Sequence, residues 1–171
     1  MAGVRLTYDT SDLRSASRRF ERLEDGARDP LPLMQDIAAA LESSTLRRFE
    51  EERGPDGVGW QKSVRARNEG GKTLTDQGHL ADSINSSADR RRAVVGTNLI
   101  YAGVHQDGAE IHARAGGRLV FAIGNQLIFA KKVTIPARPF LGVDAGDEQE
   151  IGDIVGDFIA GRLGSGLGGA A

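Results

Sequence analysis

Apolar positions recur along this chain with two different periods, and the changes of period mark its elements. Val4 to Tyr8 alternate singly, the pattern of a short strand. From Ser11 to Asp29 the period lengthens. Leu13, Ala16, Phe20 and Leu23 share a helical face, Ser11 or Asp12 can cap it, and Gly26 can end it. The clearest helix of the N-terminal half lies between Asp29 and Gly54. There Met34, Ile37, Ala38, Leu41, Thr45 and Phe49 recur at intervals of three and four, with Gly54 as the expected stop. Taken alone, such a stripe signals ordinary core packing.

A loop, "GPDGVGWQKS", follows and carries the only tryptophan, Trp60. "VRARNEGGK" is polar and broken by glycine, so it is expected to be mobile. "TLTDQGHLADSI" reads as a turn and a short helix capped by Thr75 or Asp76, with Leu80 and Ile84 on one face. "RRRAVVGT" alternates as a strand, with Arg91, Ala93 and Val95 opposite Arg90, Arg92 and Val94. "NLIYAGVHQDG" is short, apolar on one side and closed by Gly108. "RLVFAIGNQLIFAKKVTI" reads as two strands around a Gly124-Asn125 turn. The last helix carries Ile151, Ile154, Val155, Phe158 and Ile159, capped by Asp144 or Asp147, and residues 164–171 read as a flexible tail. Helices, strands and again a helix predict an α+β fold. It would be one domain over 1–171, a small antiparallel sheet packed by two or three helices, with long flexible loops.

Composition narrows the function. The 171 residues carry a formal charge of −2, with 22 basic and 24 acidic side chains, which argues against a dedicated nucleic-acid binder. Glycine is abundant, at 23, and aromatics make up only 5%, so one modest core is expected beside parts that a partner orders. With no cysteine, disulfides, thiolate catalysis and Cys-bound zinc are ruled out. The first ten residues lack an apolar signal region, and no apolar run is long enough to span a membrane. A cytoplasmic place of synthesis is expected.

No catalytic constellation stands out. His79, His105 and His112 fit no zinc spacing, and neither G-x-S-x-G nor a Walker loop is present. No enzyme activity, cofactor or metal is therefore expected. The consecutive Glu50, Glu51 and Glu52 splay around a helix, and the Arg90–Arg92 triplet splits between the faces of a strand.

One stretch asks for a purpose. In "TIPARPFLGV" two prolines flank Ala137 and Arg138, and Phe140 and Leu141 follow at once. Each proline fixes its own φ and extends the residue before it, so the connector should be stiff and should aim Arg138 and Phe140. The target is either a neighbouring subunit or the chain's own fold. Tyr101 and His105, four apart, share a face if that segment is helical.

Four segments, "GVGWQKS", "LTDQGHLADSI", "VVGTNLIYAGVHQDG" and "IPARPFLGV", occur in an order and spacing that resemble the phage virion morphogenesis family, the tail-completion proteins of Mu-like tailed phages. The resemblance spans about Glu42 to Leu163. Gln77 departs from it, standing where the family usually has threonine, and residues 68–72 are shorter and richer in glycine. The resemblance implies a structural virion protein of the neck or tail end that joins tail to head. It implies a homo-oligomeric ring, a hexamer by expectation, with neighbouring neck, tail-terminator or tail-tube proteins as partners and no membrane. The protein would then reside at the head–tail interface of the virion, after assembly in the bacterial cytoplasm. Interface candidates are Trp60, Tyr101, His105, Arg138, Phe140 and Leu141. Arg90, Arg92, Lys131 and Lys132 are the residues to inspect for a lumen with non-specific contact to packaged DNA. Three other readings remain: a DNA-contacting channel module, a transient assembly factor, and a small hydrolase built on His105 with Asp107.

Overall fold

The computed structural model describes residues 3–9, 29–123 and 126–165. In order they form β1 (Val4–Asp9), α1 (Leu31–Glu51), α2 (Val64–Asn68), α3 (His79–Asp82), β2 (Asn85–Ala88) and β3 (Arg92–Thr97). There follow α4 (Ala102–Asp107), β4 (Ala109–His112), β5 (Leu119–Ile123), β6 (Gln126–Ala130), β7 (Lys132–Ile135) and α5 (Ala145–Ser165). The fold is α+β. The helix expected from Ser11 to Gly26, the Gly124-Asn125 turn and the tail from Gly166 lie outside the described residues; α5 itself runs on through Ser165.

The strands form three small sheets: β1-β3-β2, β4-β7 and β5-β6. β2 and β3 are joined by only three residues, too few for a parallel crossover, so this pair is antiparallel. Asp89 builds that turn, its Oδ1 accepting from the amides of Arg91 and Arg92. Arg90 and Arg91 therefore belong to the turn, and the predicted alternation starts only at Arg92, with Ala93, Val95 and Thr97 buried. β4 and β7 pair antiparallel, Ala109 opposite Ile135 and His112 opposite Lys132. β5 and β6 pair as Leu119 with Ala130 through Ile123 with Gln126. The second predicted strand of the hairpin is broken at Lys131, so that β7 leaves β6 and joins β4 instead.

Internal contacts divide the chain into two compact units. The first comprises Met1–Arg5, Thr45–Asn85 and Gly96–Gly142; the second, Leu6–Ser44, Ser86–Val95 and Val143–Ala171. In the second unit Leu33, Met34, Ile37, Ala38 and Leu41 of α1 are buried, as are Ala93 and Val95 of β3 and Ile151 of α5. Asp144 and Asp147 both cap α5. The amide of Asp144 donates to Asp147 Oδ2 at 2.9 Å and the amide of Asp147 to Asp144 Oδ1 at 3.0 Å, satisfying two donors reciprocally.

In the first unit α1 ends earlier than Gly54. Glu52 takes the left-handed conformation, with φ of 54°, and its carbonyl accepts from the Trp60 amide at 2.6 Å. The conformation is unusual for glutamate, and a tertiary contact holds it: Glu52 Oε1 accepts from the Thr73 amide at 2.6 Å. The polar segment expected to be mobile is organised around Arg65. Ser63 caps α2 by accepting from Ala66. The Arg65 guanidinium donates to the carbonyls of Lys72 and Thr75, at 2.6 and 3.2 Å, and lies 3.5 Å from Asp76 Oδ1. Those contacts supply the order that local propensity lacks.

Candidate functional site

The stretch Arg138–Gly142 has no regular structure, so its backbone polar groups need partners from elsewhere. Side chains provide them. Trp60 Nε1 donates to the Pro139 carbonyl at 2.9 Å. Arg48 Nη1 donates to the carbonyls of Phe140 and Gly142, at 3.2 and 2.9 Å. The Gln106 amide closes the set. Its Oε1 accepts from the amides of Phe140 and Leu141, both at 3.0 Å, and its Nε2 donates to the Leu141 carbonyl at 2.8 Å. The result is a strap fastened by α1, the tryptophan loop and α4. Gly142 permits a close crossing, because a Cβ there would collide with the ring of Pro55.

Phe140 anchors this strap and is fully buried. Its ring lies 5.2 Å from Phe49, and Phe49 meets Trp60 edge-on at 5.6 Å and 77°. Burying an aromatic of this size stabilises the fold by roughly 1.5–3 kcal/mol, and edge-to-face packing adds to that. Trp60, Phe140 and Leu141 are thus core residues of their own unit. Leu33, Ser44 and Arg48 are also buried on α1, wider than the predicted stripe. Arg48 escaped the periodicity because a charged residue does not register as apolar.

Beside the strap opens a cavity of about 420 Å³, lined by Ser63, Arg65, Leu74, Asp76, Gln77, Gly78, His79, Leu80, Tyr101, His105 and Arg138. All four sequence segments singled out above contribute to the strap or the cavity. Arg138 is only 6% exposed. Its amide donates to the His105 carbonyl at 2.7 Å and its Nε to the Gln61 carbonyl at 2.8 Å. His105 stands edge-on to Tyr101, with ring centroids 6.1 Å apart. Its Nδ1 is buried and makes no hydrogen bond. Burial, reinforced by the Arg138 charge, pushes the His105 pKa below its ordinary 6.5, so the imidazole is neutral at pH 7. Leu74 sits at φ of 61°, a strained conformation for a branched side chain. Helix α3, on the same wall, has Gly78 as its N-cap residue, with φ of 84° and no side-chain cap, so neither Thr75 nor Asp76 plays the capping role expected of it.

The other candidates lie elsewhere. Asp107 does not line the cavity, so the His105–Asp107 pair is not assembled there. Arg90 pairs with Asp29 at 3.2 Å, Arg92 with Asp89 at 3.1 Å, and Lys132 with Glu110 at 2.7 Å. Lys131 is exposed. Glu110 also meets His112 at 2.7 Å, and among the described residues no three His, Cys, Asp or Glu side chains gather as metal ligands. Among the described residues no helix is long and apolar enough to cross a membrane. Sequence reading missed Arg65, Leu74 and Gln77 as cavity residues; the available signal was that all lie in or beside the quoted segments.

Two relatives align over nearly the whole chain. It is 32% identical to "Mu-like prophage FluMu G protein 2" of Haemophilus influenzae over 154 residues, covering 90% of this chain and 96% of that protein. It is 30% identical to "Putative capsid assembly protein G" of Escherichia phage Mu over 161 residues, covering 89% and 93%. No solved structure matches it. The sequence model of the phage virion morphogenesis family matches residues 11–160, and the chain belongs to that family.

Proposed function

We propose that the protein is a structural subunit of the virion that forms a ring at the head–tail joint and completes the tail for joining. Family membership supports a part in virion morphogenesis, and the name of the phage Mu relative places that protein in capsid assembly. The observation that carries the further step to a self-assembling subunit is the β5–β6 hairpin. On one face Val120 pairs with Phe129 and Ala122 with Leu127. Val120, Leu127 and Phe129 are 57%, 66% and 57% exposed. A contiguous apolar face of this kind on a two-stranded ribbon is a surface that assembly covers. Rotational symmetry suits a tail, and a closed ring needs one surface of a protomer to fit a different surface of the next.

Sedimentation of the purified chain over a concentration series, beside immunodetection in finished particles, tests the reading. A concentration-dependent closed oligomer and a signal in particles are expected. A chain that stays monomeric at all concentrations and is absent from particles would sink it. An oligomer absent from particles would identify a transient assembly factor.

A further inference from the structure

We propose that the cavity beside the strap is a receptor for a carboxylate carried by another polypeptide, with Arg138 as its binding residue. The inference deepens the assembly reading and rests on it only for the statement that the carboxylate arrives on a second chain. The central observation is a buried guanidinium without an anion. Arg138 commits its Nε to the Gln61 carbonyl, and its two Nη groups make no hydrogen bond among the described residues. Four N–H donors on a planar fork are thereby left to the cavity, a geometry that matches a carboxylate. The side chain as a whole is buried while these donors reach the open cavity, so a carboxylate that enters can displace their water and take up a charge-assisted pair.

Three further features fit this ligand. The carboxylate already on the cavity wall, Asp76, lies 3.5 Å from Arg65 Nε, so its charge has a partner. The His105 ring lines the cavity beside Arg138, and its Nδ1, buried and without a partner, gains one only if the ring turns on docking. Leu80 is buried at the wall, and Tyr101, 44% exposed, offers an apolar ring to the stem of an acidic side chain. A nucleic-acid phosphate fits less well. A phosphodiester carries the same single charge as a carboxylate, but the strand that bears it is a polyanion, and a chain of formal charge −2 offers such a strand no general attraction.

The test uses the full chain, labelled for NMR, with two blocked tripeptides as probes: alanine–glutamate–alanine and alanine–glutamine–alanine. The glutamate peptide is expected to shift the Arg138 Nε–H and His105 ring signals saturably, with the glutamine peptide at least tenfold weaker. Equal or absent responses would overturn the proposal, and so would a phosphodinucleotide that binds more tightly than the glutamate peptide. Arg138→Lys keeps the charge but loses the fork, and should weaken the peptide at least fivefold. Should that variant fail to fold, Tyr101→Ser, at an exposed position, replaces it and is expected to weaken the peptide while leaving the circular dichroism unchanged. The donor is identified by concentrating the protein without peptide. The same shifts on self-association assign the carboxylate to a second copy; shifts that need the peptide assign it to a different protein. A closed oligomer whose Arg138 and His105 signals never move, with or without peptide, would overturn this inference and leave the proposed function standing.

Discussion

At the scale of single residues, the first unit depends on side chains that serve distant backbone. Arg48 and Gln106 fasten the same strap from opposite sides in sequence, so their effects should couple. Arg48→Met strands the carbonyls of Phe140 and Gly142, and should cost about 2–4 kcal/mol in chemical denaturation. Gln106→Leu removes three hydrogen bonds and should cost about as much. The double variant should lose less than the sum by about 0.5 kcal/mol or more, since a strap already freed at Phe140 has less left to lose. Strict additivity would show two independent fastenings. Glu52 gives a pH signature. The Thr73 amide holds its carboxyl below the ordinary 4.5. A depressed carboxylate pKa contributes stability that is present above about pH 4.5 and lost as the pH falls through the folded value. Glu52→Gln should therefore destabilise the protein at pH 7, by less than the loss of a fully buried charged hydrogen bond because solvent screens this partly exposed group. The gap to the native protein should narrow in urea titrations run at successively lower pH. A gap constant with pH would show that charge plays no part.

At the scale of elements, the hairpin and the strap divide the labour. The strap is satisfied internally, with its aromatic anchor buried and nearly every backbone group occupied. The hairpin is apolar on the face of Val120 and Phe129, and also on its other face, where Leu119, Phe121, Ile123 and Ile128 are half-buried. Substituting Leu127→Ser with Phe129→Ser removes apolar groups that are mostly in water already. The melting of the isolated chain should change by the equivalent of less than about 0.5 kcal/mol per site. Assembly should suffer instead, read as a lower particle yield when the variant complements a phage lacking this gene. Normal particle yield would show that this face is not an assembly surface.

At the scale of the whole molecule, the described residues hold a buried aromatic cluster and a cationic cavity that draw on the same segments, and an exposed apolar ribbon made from a separate stretch. This arrangement suits a protomer that folds by itself and keeps separate surfaces for its neighbours. The four segments on which the family resemblance rests lie far apart along the chain, and residues from each meet in the first unit, at the strap and its cavity. Such convergence is a property of the tertiary structure, and it gives the order of the segments a physical meaning.

Much of this was legible beforehand. The six stripe positions of α1 from Met34 to Phe49, five apolar and Thr45, are all buried, because a helical period is local information that burial of one face imposes on any such helix. The aspartate pair at the start of α5 and the alternation from Ala93 to Val95 are local in the same way. What the sequence left undecided depends on partners far along the chain. Helix α1 stops at Glu52 and not at Gly54 because Thr73 and Trp60 hold a left-handed glutamate. Strand β2, reading Asn-Ser-Ser-Ala, has too little apolar character to announce itself and exists because β3 pairs with it. The purpose of Arg138 was equally open in the sequence. The prolines made its segment stiff, but its Nε partner lies 77 residues away, and the fastenings of Phe140 and Pro139 lie 92 and 79 residues away. Periodicity determines which face of an element is buried. Only the folded chain decides which distant carbonyl a buried guanidinium meets, and which of its donors stay free.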